Sequence, residues 1–321
     1  MTASRFRMAV RIQRFEVWSC VLLVALVVIT ALIVRARLDG VAAPVECLTP
    51  WIFPDVVYNA ARCDPLNEAF FRISRDEAGF VMTAMYAVPL VVGLLLGVGL
   101  VGREIEGGTA PTVWAFAGSR RRWLVGRLVP ILVILVVLLA FAAIATDLLA
   151  AARVPWQLGR PSFDDAGLHG PGVVARGFAA FGLALAVGAW SGRMLPTILL
   201  SALLALFLGI GGHFLLDTWV EANAHEIAVP SWFNGEYDGG KFIGEFYLLP
   251  DGSEVSRINI GARAPAGVDP DAWVAQLSVV AIGVHAPDYP GWVATEIAAF
   301  GAFGLVWLAA TFVIVERRRP F

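Results

Sequence analysis

The sequence predicts an α-helical polytopic membrane protein with six transmembrane helices and a small extracytoplasmic α+β cap between the last two. Three observations predict it. Of 321 residues, 58% are hydrophobic and only 16% charged, too little charge to coat a soluble domain of that size. Six apolar runs lie near 17–34, 80–101, 124–147, 173–190, 196–216 and 293–315, each close to the roughly 20 residues that cross about 30 Å of hydrocarbon. The arginines sit at alternate ends of those runs.

Basic residues in short loops stay cytosolic. Arg5, Arg7, Arg11 and Arg14 precede the first run, Arg103, Arg120, Arg121, Arg122 and Arg127 flank the second connection, Arg193 lies between the fourth and fifth runs, and Arg317, Arg318 and Arg319 follow the sixth. With six alternating spans all of these fall on one side, so a multi-pass protein of the inner (plasma) membrane with both termini cytosolic is expected. Arg35 and Arg37, just past the first run, break the pattern. That first run is not read as a cleaved signal: it is longer than a usual signal core, and its nearest small-residue site, 41–43, is followed by Pro44.

Residues 1–16 are expected to hold an amphipathic surface helix, with Arg7, Arg11 and Arg14 on one stripe beside Met8, Ile12 and Phe15. Spans one to five fill 17–216, including a first outward loop at 35–79 and a cytosolic connection at 102–123. Cys47 and Cys63 share that outward loop. In an oxidising compartment a bridge between them would contribute about 3 kcal/mol by chain-entropy reasoning, and two free thiols are the alternative. Cys20 lies inside span one.

The outward cap is expected at 217–292, with span six and a basic tail at 293–321. Pro-Asp-Gly at 250–252 separates KFIGEFYLL from EVSRINIGA, a hairpin signal. Asp269 and Pro270 then read as the cap and first position of a helix carrying Trp273, Leu277 and Val280 along one side.

Several chemistries are excluded. GEYDGGKF at 235–242 matches a phosphate loop except that Phe242 replaces the magnesium-binding hydroxyl, and a strand rather than a helix is predicted after it. Lys241 is the only lysine in the chain, so no other phosphate loop exists and any ATP must be bound by another polypeptide. No nucleophile elbow, zinc-protease motif or Cys/His ligand spacing occurs, so no catalytic residue and no metal site is expected. His169, His225 and His285 read as scattered exposed histidines. Asp147, Arg176, His213 and Glu296 sit near the outer ends of spans, where charge snorkels cheaply; they are the candidates for a substrate pathway. No internal repeat is visible, which argues against an inverted-repeat carrier.

The segment REIEGGTAPTVWAFAGSRRRWLVGR, 103–127, is the most informative. Arg103 and Glu104 end span two, Gly107 and Gly108 permit a sharp turn, Thr109 can cap a short helix and Pro111 suits its first turn. That helix should end at Gly118 with Trp114 and Phe116 facing lipid or a partner, and Ser119 should cap span three. The result is a short helix fixed between two spans.

Arg103-Glu104, three residues, then Gly108-Thr109, followed by Trp114, Ser119, Arg120 and the RWLVGR that contains Trp123, resembles the signature between spans two and three of ABC-2 permeases, membrane subunits of ATP-binding-cassette exporters. The six-span layout, the basic amphipathic N-terminus, Pro89 in span two and the approach PDYPGWVATEIAAF are similar too. The resemblance implies that 103–127 contains a coupling helix docking on a separate cytosolic ABC ATPase subunit that carries Mg-ATP, with no cofactor in this chain, and that a second permease copy or paralogue completes the pathway. Arg103, Glu104, Gly108, Thr109, Trp114, Ser119, Arg120 and Trp123 are then the coupling positions. The enlarged 217–292 cap departs from the pattern. Aromatic and aliphatic spans suit a lipophilic or amphipathic cargo such as a drug, antibiotic or lipid. Membrane lipid is the remaining partner, and nucleic acid is not expected. Twenty-three arginines to one lysine point to a GC-rich bacterial genome. Two rival readings are a sensor that binds an outer ligand and signals without transport, and a membrane-embedded enzyme, for which no catalytic constellation is present.

Overall fold

A computed structural model describes residues 11–48, 59–155 and 163–318, apart from 164, 230–239, 257–258, 261–262, 266–267, 270–272 and 275. The surface helix read at the N-terminus lies mostly outside these residues, as does most of the 235–242 loop.

Six helices or helical runs are long and apolar enough to cross a membrane. Helix α1 is Arg14–Val41, followed by a single turn, α2, Val45–Leu48. Helix α3, Ala60–Arg72, continues through a π-helical stretch, Ile73–Ala78, into α4, Gly79–Glu106. The short α5, Ala110–Ala117, leads into α6, Arg120–Arg153. Helices α7, Gly172–Ser191, and α8, Met194–Asn223, precede the sheet, and α9, Tyr289–Arg317, ends the bundle. The helices overrun the predicted apolar runs, and their added turns carry charged residues such as Arg35, Arg37, Arg103 and Arg153. The predicted cap start at 217 is still α8.

Helix α7 is the buried centre of the bundle and packs most extensively on α4 and α9. Its glycines and alanines explain why. Without a hydrophobic drive between helices in lipid, close backbone approach by small residues is what holds spans together. A Cβ on Gly97 of α4 would lie 2.7 Å from the Phe181 carbonyl oxygen, and one on Gly182 would lie 2.7 Å from that of Gly304 on α9. Residues 93 and 97 meet 177–185, and 304 meets 178 and 182, so α4, α7 and α9 run parallel. Helix α1 runs antiparallel to α4, with Glu16 beside Gly99 and Cys20 reaching the Val92 carbonyl. Residues 13–16, 99–127, 188–197 and 315–318 therefore gather at one end, called here the elbow end, and the sheet and the long connections lie toward the other.

At that far end Cys47 of α2 and Cys63 of α3 form a disulfide. The sheet comprises β1, His225–Val229, β2, Lys241–Leu248, β3, Glu254–Ser256, and β4, Ser278–Val284, all antiparallel in the order β1-β4-β2-β3. β2 and β3 form the hairpin around Pro250-Asp251-Gly252, Gly252 having φ +79°. Asp251 Oδ1 accepts hydrogen bonds from the Ser253 amide at 2.9 Å and hydroxyl at 2.6 Å, which holds this carboxyl below its ordinary range. The helix expected after Asp269 is corrected. The Trp273 amide donates to the Asp269 carbonyl, but Val280 belongs to β4. Ser-Val-Val-Ala-Ile-Gly-Val is rich in β-branched residues and becomes one of the two inner strands, between β1 and β2, where two neighbours satisfy its backbone.

Candidate functional site

The elbow is built by local signals. Gly107 closes α4 with its amide on the Arg103 carbonyl, and Gly108 adopts φ +67°. Thr109 occupies the position before α5, but its hydroxyl turns back to Glu104, donating to Oε2 at 2.7 Å instead of capping. The other Glu104 oxygen pairs with Arg127 of α6 at 2.6 Å. Glu104 thus links the end of α4, the start of α5 and the first turns of α6. Gly118, φ +72°, ends α5, and Ser119 Oγ accepts from the Arg122 amide at 3.2 Å.

Trp114 requires a correction. It does not face lipid or a partner: it is 7% exposed, stacks edge-on against Trp123 at 6.0 Å, and lies under the Arg120 guanidinium at 4.6 Å. Phe116 is the exposed aromatic, at 89%. The two lie two residues apart, on different faces of one short helix, and the indole has the larger apolar area to bury against α6.

Arginines wire this elbow to the rest of the bundle. Arg120 Nη1 donates to the carbonyls of Val315, Glu316 and Arg318 at 3.0, 2.8 and 2.6 Å, supplying partners for carbonyls that the end of α9 leaves open. Arg318 in turn donates to the Trp190 carbonyl at the end of α7, at 3.2 Å. Arg103 donates to Glu16 and pairs α4 with α1, and it reaches the Ile12 carbonyl at 3.3 Å. Glu106 accepts from the Met194 amide at 2.9 Å, at the start of α8. Arg121 pairs with Glu316. Glu16, Glu106 and Arg318 carry no motif signal, and Arg127 closes the RWLVGR run without being singled out by it; their partners lie roughly 20 to 200 positions away in sequence.

At the far end three of the four pathway candidates converge. Arg176 of α7 and Glu296 of α9 form an ion pair at 2.7 Å with side chains only 7% and 2% exposed, so they are buried partners rather than snorkelling charges. The guanidinium faces Phe300 at 5.5 Å and packs against Gly167, φ +81°, and Gly212, positions where a Cβ would collide or crowd. Gly172 is pressed against the Glu296 carboxylate in the same way. Asp147 of α6 contacts His169 Nδ1 at 2.7 Å, and the His169 ring stacks on Tyr289 at the start of α9. His169 is therefore not a scattered exposed histidine: its side chain is 14% exposed. His213 stays outside this cluster, exposed on α8 and 3.9 Å from Asp217, which accepts from Lys241 at 2.7 Å. An aromatic group of Phe163, Trp219, Tyr289 and Trp292 packs beside it and joins α8 to α9. Among the described residues no group of three or more His, Cys, Asp or Glu side chains is placed to hold a metal ion.

The site joins a braced helix with one exposed aromatic, Phe116, at one end to a charge cluster at the other whose Arg176 and Glu296 are buried between spans. A family model described as ABC-2 membrane transporter related matches residues 18–221. No curated protein and no solved structure matches the chain.

Proposed function

The chain belongs to the ABC-2 membrane transporter related family, and from that membership we propose that it is the permease subunit of an ATP-driven exporter whose energy comes from a separate ABC ATPase. The observation that carries this reading is the elbow: α5 buries Ala110 and Trp114 in the bundle and presents Phe116 outward, while the residues flanking it, Glu104, Arg103 and Arg120, bond to α6, α1 and the end of α9. A push on Phe116 reaches several spans at once because packed helices have discrete arrangements and do not deform continuously. Arg103, Glu104, Gly108, Thr109, Ser119, Arg120, Trp114 and Trp123 act as coupling residues by holding this geometry. Mg-ATP stays on the partner.

In this proposal the elbow end is cytosolic, as the arginine distribution supports, and a second permease copy or paralogue completes the pathway. Asp147, His169, Arg176 and Glu296 form the outer latch that releases when spans rearrange, and His213 lies on its flank. The cargo is lipophilic or amphipathic. Affinity purification of the tagged chain from its native membrane, followed by uptake of labelled cargo into inverted vesicles, tests this. The expected outcome is a co-purifying ABC ATPase and ATP-dependent uptake. Transport by the chain alone with ATP, or ATPase binding with no uptake of any amphiphile, would count against it.

A further inference from the structure

Arg35 and Arg37 violate the charge pattern that orients the other spans, and the structure separates their roles. Arg37 is engaged, its Nη1 donating to Glu77 in the π-helical stretch. Among the described residues Arg35 pairs with Asp39 alone, one turn on, at a loose 3.7 Å, and both side chains stay accessible. They flank a groove of about 350 Å³ at the far end of α1, walled by Leu38, Phe70, Leu148 and Ala152 from α1, α3 and α6. Leu38 and Phe70 form its buried apolar floor. Ala42, in the left-handed region at φ +47°, turns the chain off α1 and closes one side.

The level of the groove in the membrane is fixed by sequence. The apolar run of α1 ends at Val34 and Arg35 is the first charge after it, which is where a span is expected to pass from hydrocarbon to headgroups. On the same sides of the two helices Leu32, nearly one turn before Arg35 on α1, and Ile144, one turn before Leu148 on α6, are exposed, apolar surface that leads to the groove. A ligand fitting both parts is amphipathic, with its polar part carrying a negative and a positive group a helical turn apart.

We propose that this groove binds one phospholipid with a primary ammonium headgroup, phosphatidylethanolamine, its phosphate on Arg35, its ammonium on Asp39 and its acyl chain along Leu32 and Ile144. The lipid separates a weak surface pair and gives each partner a charge-assisted hydrogen bond. Asp39 sets the selectivity. The trimethylammonium of phosphatidylcholine has no proton to donate to it, and phosphatidylglycerol brings no cation at all. The site lies on α1, α3 and α6 and shares no residue with the Arg176 and Glu296 pair on α7 and α9, so it does not depend on the transport reading.

The test is lipid retention by the purified full-length chain after exchange in mixed micelles holding equal phosphatidylethanolamine, phosphatidylcholine and phosphatidylglycerol, counted by native mass spectrometry. Retention of phosphatidylethanolamine about tenfold over the other two is expected, the size of one charge-assisted contact, and Arg35→Gln combined with Asp39→Asn should remove the preference. Equal retention of the three lipids, preference for phosphatidylglycerol, or a preference that survives the double substitution overturns the assignment. A second series on the unmodified chain needs no variant: retention should fall stepwise as the ammonium gains one, two and three methyl groups, and a flat series overturns it equally.

Discussion

Glu104 and Arg127 close an ion pair across the elbow at 2.6 Å, with both side chains largely withdrawn from solvent, while the second oxygen of Glu104 accepts from Thr109. One carboxylate therefore sets the angle between the end of α4 and the start of α6, and the short helix between them has no independent position.

Removing that carboxylate should separate assembly from work. Glu104→Ala is expected to insert and to bind the ATPase, but to lower cargo-stimulated ATP hydrolysis of the complex to its unstimulated level. Arg127→Ala should do the same. A steady-state ATPase assay with and without cargo reads this, and undiminished stimulation in both variants would refute the assignment.

Trp114 and Phe116 should give opposite phenotypes. Trp114→Ala empties a buried site and is expected to cost about 3–5 kcal/mol, seen as a large drop in detergent melting temperature. Phe116→Ala should melt like the parent yet co-purify much less ATPase. If the exposed ring proves dispensable for co-purification, the docking face lies elsewhere.

For the Arg176 and Glu296 pair, Glu296→Ala leaves a buried guanidinium without its counter-charge and should destabilise by about 3–5 kcal/mol, whereas Arg176→Met with Glu296→Leu should recover most of that loss. Transport should remain absent in the recovered double variant. Melting temperature and vesicle uptake, measured together, distinguish a structural pair from a latch.

Glycine positions differ by what a methyl group would meet. Gly97→Ala and Gly182→Ala push into backbone carbonyls of the facing helix and should cost about 1–3 kcal/mol. Gly301→Ala meets nothing within 4 Å and should be neutral or slightly stabilising. Size-exclusion profiles after mild heating check the contrast.

Much of the elbow could be read from the sequence because its signals are local: a glycine pair, a proline in the first turn and a serine ahead of a helix each act on neighbouring backbone. The hairpin at 250–252 was legible for the same reason. What escaped depends on distant partners. Trp114 and Phe116 look alike in sequence, and only the position of α6 decides which is buried. Arg120 reads as a surface charge until the end of α9 brings it three carbonyls. β4 looked like the second turn of a helix because its pairing partners lie on β1 and β2, and His169 looked incidental because Tyr289 and Asp147 are 120 and 22 positions away.

Lys241 ties β2 to Asp217 on α8, and it is the sole lysine in the sequence. An amine-directed reagent therefore has a single side-chain address in this chain. If that reagent cannot permeate bilayers, modification of intact cells reports which compartment holds the sheet, and the speed of modification reports how often the ammonium leaves its carboxylate. The chain thus carries a native reporter on the strand that fastens its sheet to a span.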